Sequence, residues 1–189
     1  MNEIKRKLFH LFCLIYMALY AFLPRPRCLG IMAALGIIII FLEFARLRLP
    51  SFNEWAWNRV SDIARVWERN SISGLFWTWL GSFLTMLIFK RREIVLAALA
   101  FMIFGDFAAA LVGKFWGRHR WPGGTKKTME GTTAFALAAI TAGWWFLPPH
   151  VVIISAIIAA ALESIRLPVD DNLWIPLVSG VCLTLTCLI

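Results

Sequence analysis

IVLAALAFMIFGDFAAALVGKFWGRHRWPGGTKKTMEG, residues 94–131, joins two segments of opposite character. Residues 94–112 are an apolar run, close to the roughly 20 residues that a helix needs to cross a bilayer. Residues 105–131 then gather Asp106, Glu130, Lys114, Arg118, Arg120, Lys126 and Lys127 among Gly105, Gly113, Gly117, Gly123, Gly124 and Gly131. Charge placed beside hydrocarbon is costly, and is kept where it is paired or used. A carboxylate at a helix end, next to a basic and glycine-rich loop, suits a magnesium-bound polyphosphate.

The remaining sequence gives this stretch an apolar setting. Hydrophobic residues make up 60% of the 189 and mean hydropathy is +0.74, which excludes an ordinary soluble domain. Apolar runs at 8–23, 29–44, 72–89, 94–112, 132–147, 151–165 and 173–189 predict an all-α, polytopic membrane helix bundle of about seven spans. The first and sixth are short enough to be partly re-entrant. The whole of 1–189 reads as a single membrane-embedded domain. Its start has the charged-then-apolar profile of a signal peptide but no A-x-A-like cleavage site, so a retained first helix is expected. Cys13, Cys28, Cys182 and Cys187 lie in or beside apolar runs without CxxC spacing, as small buried residues do. With the N-terminus cytoplasmic and the C-terminus outside, only Arg25, Arg27, Lys90, Arg91 and Arg92 among the basic residues face out. A membrane surface accounts for the net charge of +8 without invoking nucleic acid. A bacterial-type plasma membrane fits this pattern.

Between the second and third runs, Pro50 ends a helix and Ser51, Phe52, Asn53 and Glu54 spell a capping box. Phe52, Ala56, Val60, Ile63 and Trp67 then recur at helical spacing, with Trp55 alongside. This predicts an amphipathic helix on the cytoplasmic interface, either a surface anchor or a gate for a lipid entering sideways. An internal echo is also present. Glu43 and Arg46 end the second span, Glu163 and Arg166 end the sixth, and both sit in an L-E-x-x-R-L string. Residues three apart share a helix face, so each is either an interfacial ion pair or one wall of a common polar site.

Gly105, Ala109 and Gly113 form a small-residue stripe that lets a second helix approach closely. Asp106 shares a face with Ala110 and Lys114, and pairs with Lys114 or faces a bound cation. The glycines after it allow an anion-binding nest, and the helix starting near Thr128 would add its positive end. Phe115 after Gly113-Lys114, and Ala108 where a Walker A glycine would stand, exclude a P-loop. His10, His119 and His150 are too scattered for a zinc site. A third polar island, Asp170-Asp171-Asn172, offers hard oxygen ligands suited to Mg2+, or alternatively lets Asp171 or Asn172 cap the last helix.

Four patches resemble the CTP-dependent lipid alcohol kinases, the group of dolichol kinase, phytol kinase and yeast-type diacylglycerol kinase. They are Arg6-Lys7-Leu8-Phe9-His10; Glu43-x-x-Arg46; Gly105-Asp106 through Gly113-Lys114, Gly117-Arg118 and Lys126-Lys127-Thr128-Met129-Glu130-Gly131; and Glu163 with Asp170-Asp171-Asn172-Leu173 and Pro176. The resemblance implies transfer of the γ-phosphoryl group of CTP to a lipid hydroxyl with Mg2+. Diacylglycerol, a polyprenol and phytol all fit as acceptor. It implies that Asp106, with Asp170 or Asp171, holds the metal. Gly113, Lys114, Gly117, Arg118, Gly124, Lys126, Lys127, Thr128, Glu130, Gly131 and Asn172 would line the nucleotide site. Asp106, Glu163 and Lys127 are the catalytic candidates, Asp106 and Glu163 standing level as general base. His10, Glu43 and Arg46 complete the polar set. Phosphatidate cytidylyltransferases share the K-T-x-E-G run but continue into a P-G-H-G-G turn that is absent here. A cytidylyltransferase-like enzyme is therefore the second reading, and a non-enzymatic binder of anionic lipid is the third. On any of the three, the Gly105/Ala109/Gly113 stripe serves within one chain or between the chains of a homo-oligomer.

Overall fold

The structure is a computed structural model that describes residues 5–6, 11–122, 127–165, 167 and 169–188. Among the described residues every regular element is helical, and the only extended pairing is an isolated bridge between Arg120 and Thr128. In chain order a 3-10 turn at Leu11–Cys13 leads into α1 (Leu14–Phe22), and α2 runs from Arg25 to Arg48 (Arg25–Arg48). α3 (Pro50–Val60), a 3-10 turn at Val66–Arg69 and α4 (Gly74–Ile88) follow. α5 (Arg92–Ala100) continues through a π turn at Phe101–Gly105 into α6 (Asp106–Phe115). The chain closes with α7 (Met129–Gly143), α8 (Pro149–Ser164) and α9 (Asp171–Thr186).

The α5–π–α6 rod is the centre. Val95, Ala97, Ala98, Leu99, Ala100, Phe101, Met102 and Ile103 are fully buried, and α1, α4, α7 and α9 pack against it. The surrounding helices each bury one stripe of small or apolar residues. In α7 these are Gly131, Phe135, Ala139 and Gly143, one per turn. α8 buries Val152, Ser155, Ala156, Ala159 and Ala160 in the same way. Small residues let backbones approach, and the resulting van der Waals contact is what holds apolar helices together when their other faces are also apolar.

The seven apolar runs correspond to seven helical segments, but their lengths differ from expectation. Two helices, Arg25–Arg48 and Arg92–Phe115, are long and apolar enough to cross a membrane. Leu11–Phe22, Gly74–Ile88 and Pro149–Ser164 are apolar but shorter. They fall below the roughly 17 residues of a minimal span. The interfacial segment also departs from its pattern. Leu49, not Ser51, is the N-cap of α3, and no side chain caps it, because Pro50 starts the helix with its fixed φ. The apolar periodicity through Trp67 breaks at Val60, whose carbonyl accepts from both Ile63 and Ala64 and so closes the helix. Trp55 and Val60 remain exposed on α3.

At the other end of the bundle, Arg92 donates to the carbonyls of Ala21 (3.2 Å) and Leu23 (3.0 Å). Arg25 does the same for Leu87 (2.7 Å) at the end of α4. These are helix C-termini, where orphan carbonyls and the negative end of the helix dipole favour a cation. The Arg92 of the unexpected Lys90–Arg92 cluster therefore has a local structural use.

Gly131 sits where α7 crosses α6. A Cβ there would lie 2.9 Å from the Ala109 carbonyl and 3.1 Å from Thr128 Oγ1. Gly30, inside α2, has no atom within 4 Å of the same position. Gly131→Ala should lower stability by about 1–3 kcal/mol through overpacking. Gly30→Ala should be neutral or raise stability by up to about 1 kcal/mol through helix propensity. Thermal unfolding of the two variants in detergent checks the contrast.

Candidate active site

Lys127 lies in extended backbone just before α7, and its ammonium is the hub of the site. Nζ is 2.7 Å from Asp171 Oδ2 and 3.3 Å from Glu163 Oε1, and it also donates to the Glu163 carbonyl. Glu163 comes from the last turn of α8 and Asp171 from the first residue of α9. Asp106 opens α6, is 6% exposed, and lies close enough for its charge to act on both Glu163 and Asp171. Three carboxylates and one lysine from four segments thus meet beside the middle of the rod, just after its π turn. Burial alone would lower Lys127, but the charges of Asp171 and Glu163 outweigh it and hold the ammonium above the usual lysine value. Burial pushes Asp171 above the carboxylate range, and Lys127 limits that rise.

The glycines divide between packing and loop. Gly113, Gly117 and Gly131 close around Thr128: a Cβ on Gly113 would meet Thr128 Oγ1 at 3.1 Å, and one on Gly117 would strike the Gly113 carbonyl. Thr128 is buried, caps α7, and accepts from Gly131 N at 3.1 Å. Of the glycines expected to form an anion nest, Gly113 and Gly117 pack into a helix crossing, and Gly123 and Gly124 lie outside the described residues. The effect of the crossing is to fix where Lys127 stands. The Gly105–Ala109–Gly113 stripe forms the other half of that crossing, and a Cβ on Gly105 would fall 2.8 Å from the Phe135 ring.

Glu130, in the first turn of α7, faces the strap that leads out of α6. It accepts from His119 N (3.1 Å) and lies 2.7 Å from His119 Nδ1. Trp121 N donates to the Lys127 carbonyl (3.1 Å) and Met129 N to the His119 carbonyl (2.8 Å), so the outgoing and returning strands are zipped together. Lys114, Arg118 and Arg120 are exposed on this strap, Lys114 lying 5.8 Å from the Phe115 ring. Gly124 and Lys126, like His10 and Arg166, lie outside the described residues.

Asp170 and Asp171 do not share one ligand position. Asp170 turns away from Lys127, pairs with Arg65 NH1 at 2.7 Å, and accepts from Asn172 N at 3.0 Å. Asp170 is therefore the cap of α9, rather than Asp171 or Asn172. Within α9, Pro176 has no N–H to offer the Asn172 carbonyl. That carbonyl packs against Gly81 of α4, where any side chain would collide. Among the described residues no three His, Cys, Asp or Glu side chains are arranged to hold one metal ion. Mg2+ commonly takes one or two protein carboxylates and fills its shell with water and phosphate oxygens. Asp106 and Asp171, hard oxygen donors already gathered near a cation, fit that requirement.

Glu43 and Arg46 belong to a second cluster. Arg46 bonds Glu43 at 2.8 Å and donates to the carbonyls of Glu68 (2.7 Å) and Ser71 (2.6 Å), while Glu43 accepts from Ser73 N at 3.2 Å. The pair stitches the end of α2 to the turn before α4. Arg65 and Glu68 link it onward to Asp170, Arg65 Nε lying 3.9 Å from Glu68 Oε1. Arg65 and Glu68 are sites that the sequence pattern did not single out. Their i,i+3 spacing repeats the Glu43–Arg46 motif in reverse order, and was the available signal.

No protein-family model matches the chain, and no solved structure gives a significant match. The CTP-dependent diacylglycerol kinase 1 of Saccharomyces cerevisiae is 24% identical over 209 residues, covering 95% of this chain and 71% of that enzyme. The phytol kinase of Synechocystis is 39% identical over 89 residues, 42% of this chain and 38% of that enzyme. The class defined is thus a helical relative, at a distance, of lipid kinases. A Rickettsia prowazekii protein described as uncharacterized is 31% identical over 196 residues, covering 97% of this chain and 93% of that protein. The chain belongs to one family with the Rickettsia protein.

Glu130 gives a pH test of the strap. Its own backbone amide, then His119, hold its carboxyl down at about 2. A carboxyl lowered in the folded state stabilises above its unfolded value, about 4.3, and that contribution is lost as pH falls through the folded value. Exchange protection of the His119 amide should therefore fall between pH 4 and 2, taking about 4.3 as the upper edge and about 2 as the lower. Glu130→Gln should remove that acid step, as read by hydrogen exchange.

Proposed function

We propose that this protein is an integral membrane lipid kinase that transfers the γ-phosphoryl group of CTP, with Mg2+, to the hydroxyl of a lipid alcohol. The observation that carries the reading is the meeting of Asp106, Lys127, Glu163 and Asp171 beside a basic strap. The distant kinship to lipid kinases supports the same chemistry.

The bilayer part of the proposal rests on the outer surface. Phe22, Ile37, Phe41, Leu137, Ile157 and Leu185 are all more than half exposed. Only 22% of the most apolar window of α2 is buried, against 72% for the central rod. Soluble proteins rarely present so much contiguous apolar area to water. The seven apolar helices would cross or enter the membrane, with the N-terminus and the site cytoplasmic and the C-terminus outside. The shorter helices would be met by local thinning.

In the reaction, the lipid oxygen forms a bond to the γ-phosphorus, the bond from that phosphorus to the β–γ bridging oxygen breaks, and CDP leaves. Asp106 or Glu163 takes the hydroxyl proton. Asp106 and Asp171 would hold Mg2+, which would supply positive charge to offset that of the phosphates. Lys127, with Lys114, Arg118 and Lys126, neutralises the charge that spreads over the equatorial oxygens. Thr128, Gly113, Gly117 and Gly131 position Lys127 by fixing the α6–α7 crossing. Glu130 holds the strap through His119, and Asn172 anchors the turn that carries Asp170 and Asp171.

Purified protein given γ-labelled CTP or ATP, Mg2+ and a panel of diacylglycerol, polyprenol and phytol should place label in a lipid and release the nucleoside diphosphate. Release of pyrophosphate with formation of a nucleotidyl lipid, or no transfer to any acceptor, would overturn the reading. Asp106→Asn should reduce transfer by about 100- to 10,000-fold while the protein stays folded and inserted. Near-normal turnover of that variant would remove Asp106 from the mechanism.

A further inference from the structure

Beyond the phosphate cluster lies an open cleft of about 640 Å3 between the end of α2, the Val66–Arg69 turn, the start of α4 and the turn before α9. That volume lies within the range of small-molecule sites, about 300–1,000 Å3. Its lining has two sides. Leu47, Trp67, Ile72 and Trp77 make one side apolar, while Arg65, Glu68 and Asp170 supply the ionisable groups of the other. The apolar side is continuous with outward-facing hydrocarbon, since Leu47 and Ile72 are exposed and neighbour exposed Phe44 and Leu75.

The charges select what the polar side accepts. Arg65 is committed to Asp170 at 2.7 Å, and its Nε stands 3.9 Å from Glu68 Oε1, too far for a hydrogen bond. Arg65 faces both carboxylates and the charge of Arg6 also acts on Glu68, so two cations balance two carboxylates. Glu68 is buried and accepts from the Gly74 amide. A carboxylate has about four acceptor positions, which leaves Glu68 room for a donor that enters the cleft. A neutral hydroxyl suits such a balanced lining, since it brings no further charge that needs a partner.

The location completes the argument. Asp170 lines the cleft and Asp171, the next residue, is bonded to Lys127. The two compartments share a wall one residue thick. We infer that this cleft is where the acceptor docks, taking a neutral lipid alcohol whose hydroxyl bonds the Glu68 carboxylate before it moves on to the Asp106–Glu163 cluster, and whose tail leaves past Leu47, Ile72 and Trp77. The fate of that hydroxyl rests on the lipid-kinase reading; its binding does not.

The test uses the purified full chain in detergent micelles with a diazirine-bearing dioctanoylglycerol as probe. After photolysis, adducts are mapped by mass spectrometry. They should fall within residues 65–77 and be suppressed by excess dioctanoylglycerol but not by dioctanoyl phosphatidate at the same concentration. Ser71→Trp, at an exposed position of the lining, should cut the adduct yield about tenfold by filling the cleft, and Glu68→Gln should weaken competition by dioctanoylglycerol about tenfold. Neither change should alter the nucleotide KM. Adducts elsewhere, equal competition by phosphatidate, or unchanged labelling of Ser71→Trp would overturn the inference. Failure of the kinase reading shows separately, as cleft adducts without transfer of label from γ-labelled CTP or ATP.

Discussion

A single ammonium, that of Lys127, binds together the end of α8, the start of α9 and the entry to α7. Its partners, Glu163 and Asp171, would otherwise be two carboxylates crowded beside a third, Asp106, in a place with little water. Like charges held so closely in a medium of low polarity cannot all persist without a cation. The ion pairs therefore do more than join three helices. They hold three carboxylates in one place, with the lysine between two of them. The glycine crossing beneath Thr128 serves the same end, because it leaves the Lys127 backbone little freedom to drift.

Much of the architecture was legible in the sequence. Seven apolar runs became seven helical segments, since an apolar run of that length has no better way to satisfy its backbone than to bond internally. Span lengths were less legible. Where a run such as 72–89 meets its neighbours, the caps Ser73 and Phe89 consume its ends and leave a helix over Gly74–Ile88. Hydropathy does not register this. Whether each segment crosses a bilayer is a matter of its surroundings as much as of its composition.

The site was legible by residue type and less so by role. Asp106, Lys127, Glu163 and Asp171 were all on the page as charges next to hydrocarbon, and the fold gathers them. The glycines carry more than the sequence shows: Gly113, Gly117 and Gly131 also form a close helix contact. Asp170 and Asp171 look like a paired ligand, yet Asp170 is the extended cap and Asp171 the first helical residue, so their side chains leave in different directions and serve different cations. Arg65 and Glu68 were hidden by a regular apolar period through Trp67. Only the break after Val60, made by hydrogen bonds that periodicity does not record, turns Glu68 inward.

The π turn at Phe101–Gly105 has a consequence for how such a protein could arise. A π turn behaves as one surplus residue in an α-helix, and each residue turns the helix by about 100°. Without it, everything beyond Gly105 would be rotated by that amount. Asp106 would leave the carboxylate cluster, and the Gly105–Gly113 seam would no longer face α7. A rod that turns Asp106 into the carboxylate cluster and one that turns it elsewhere thus differ by a single inserted codon. The same insertion leaves the buried first half of the rod, and so the assembly of the bundle, untouched.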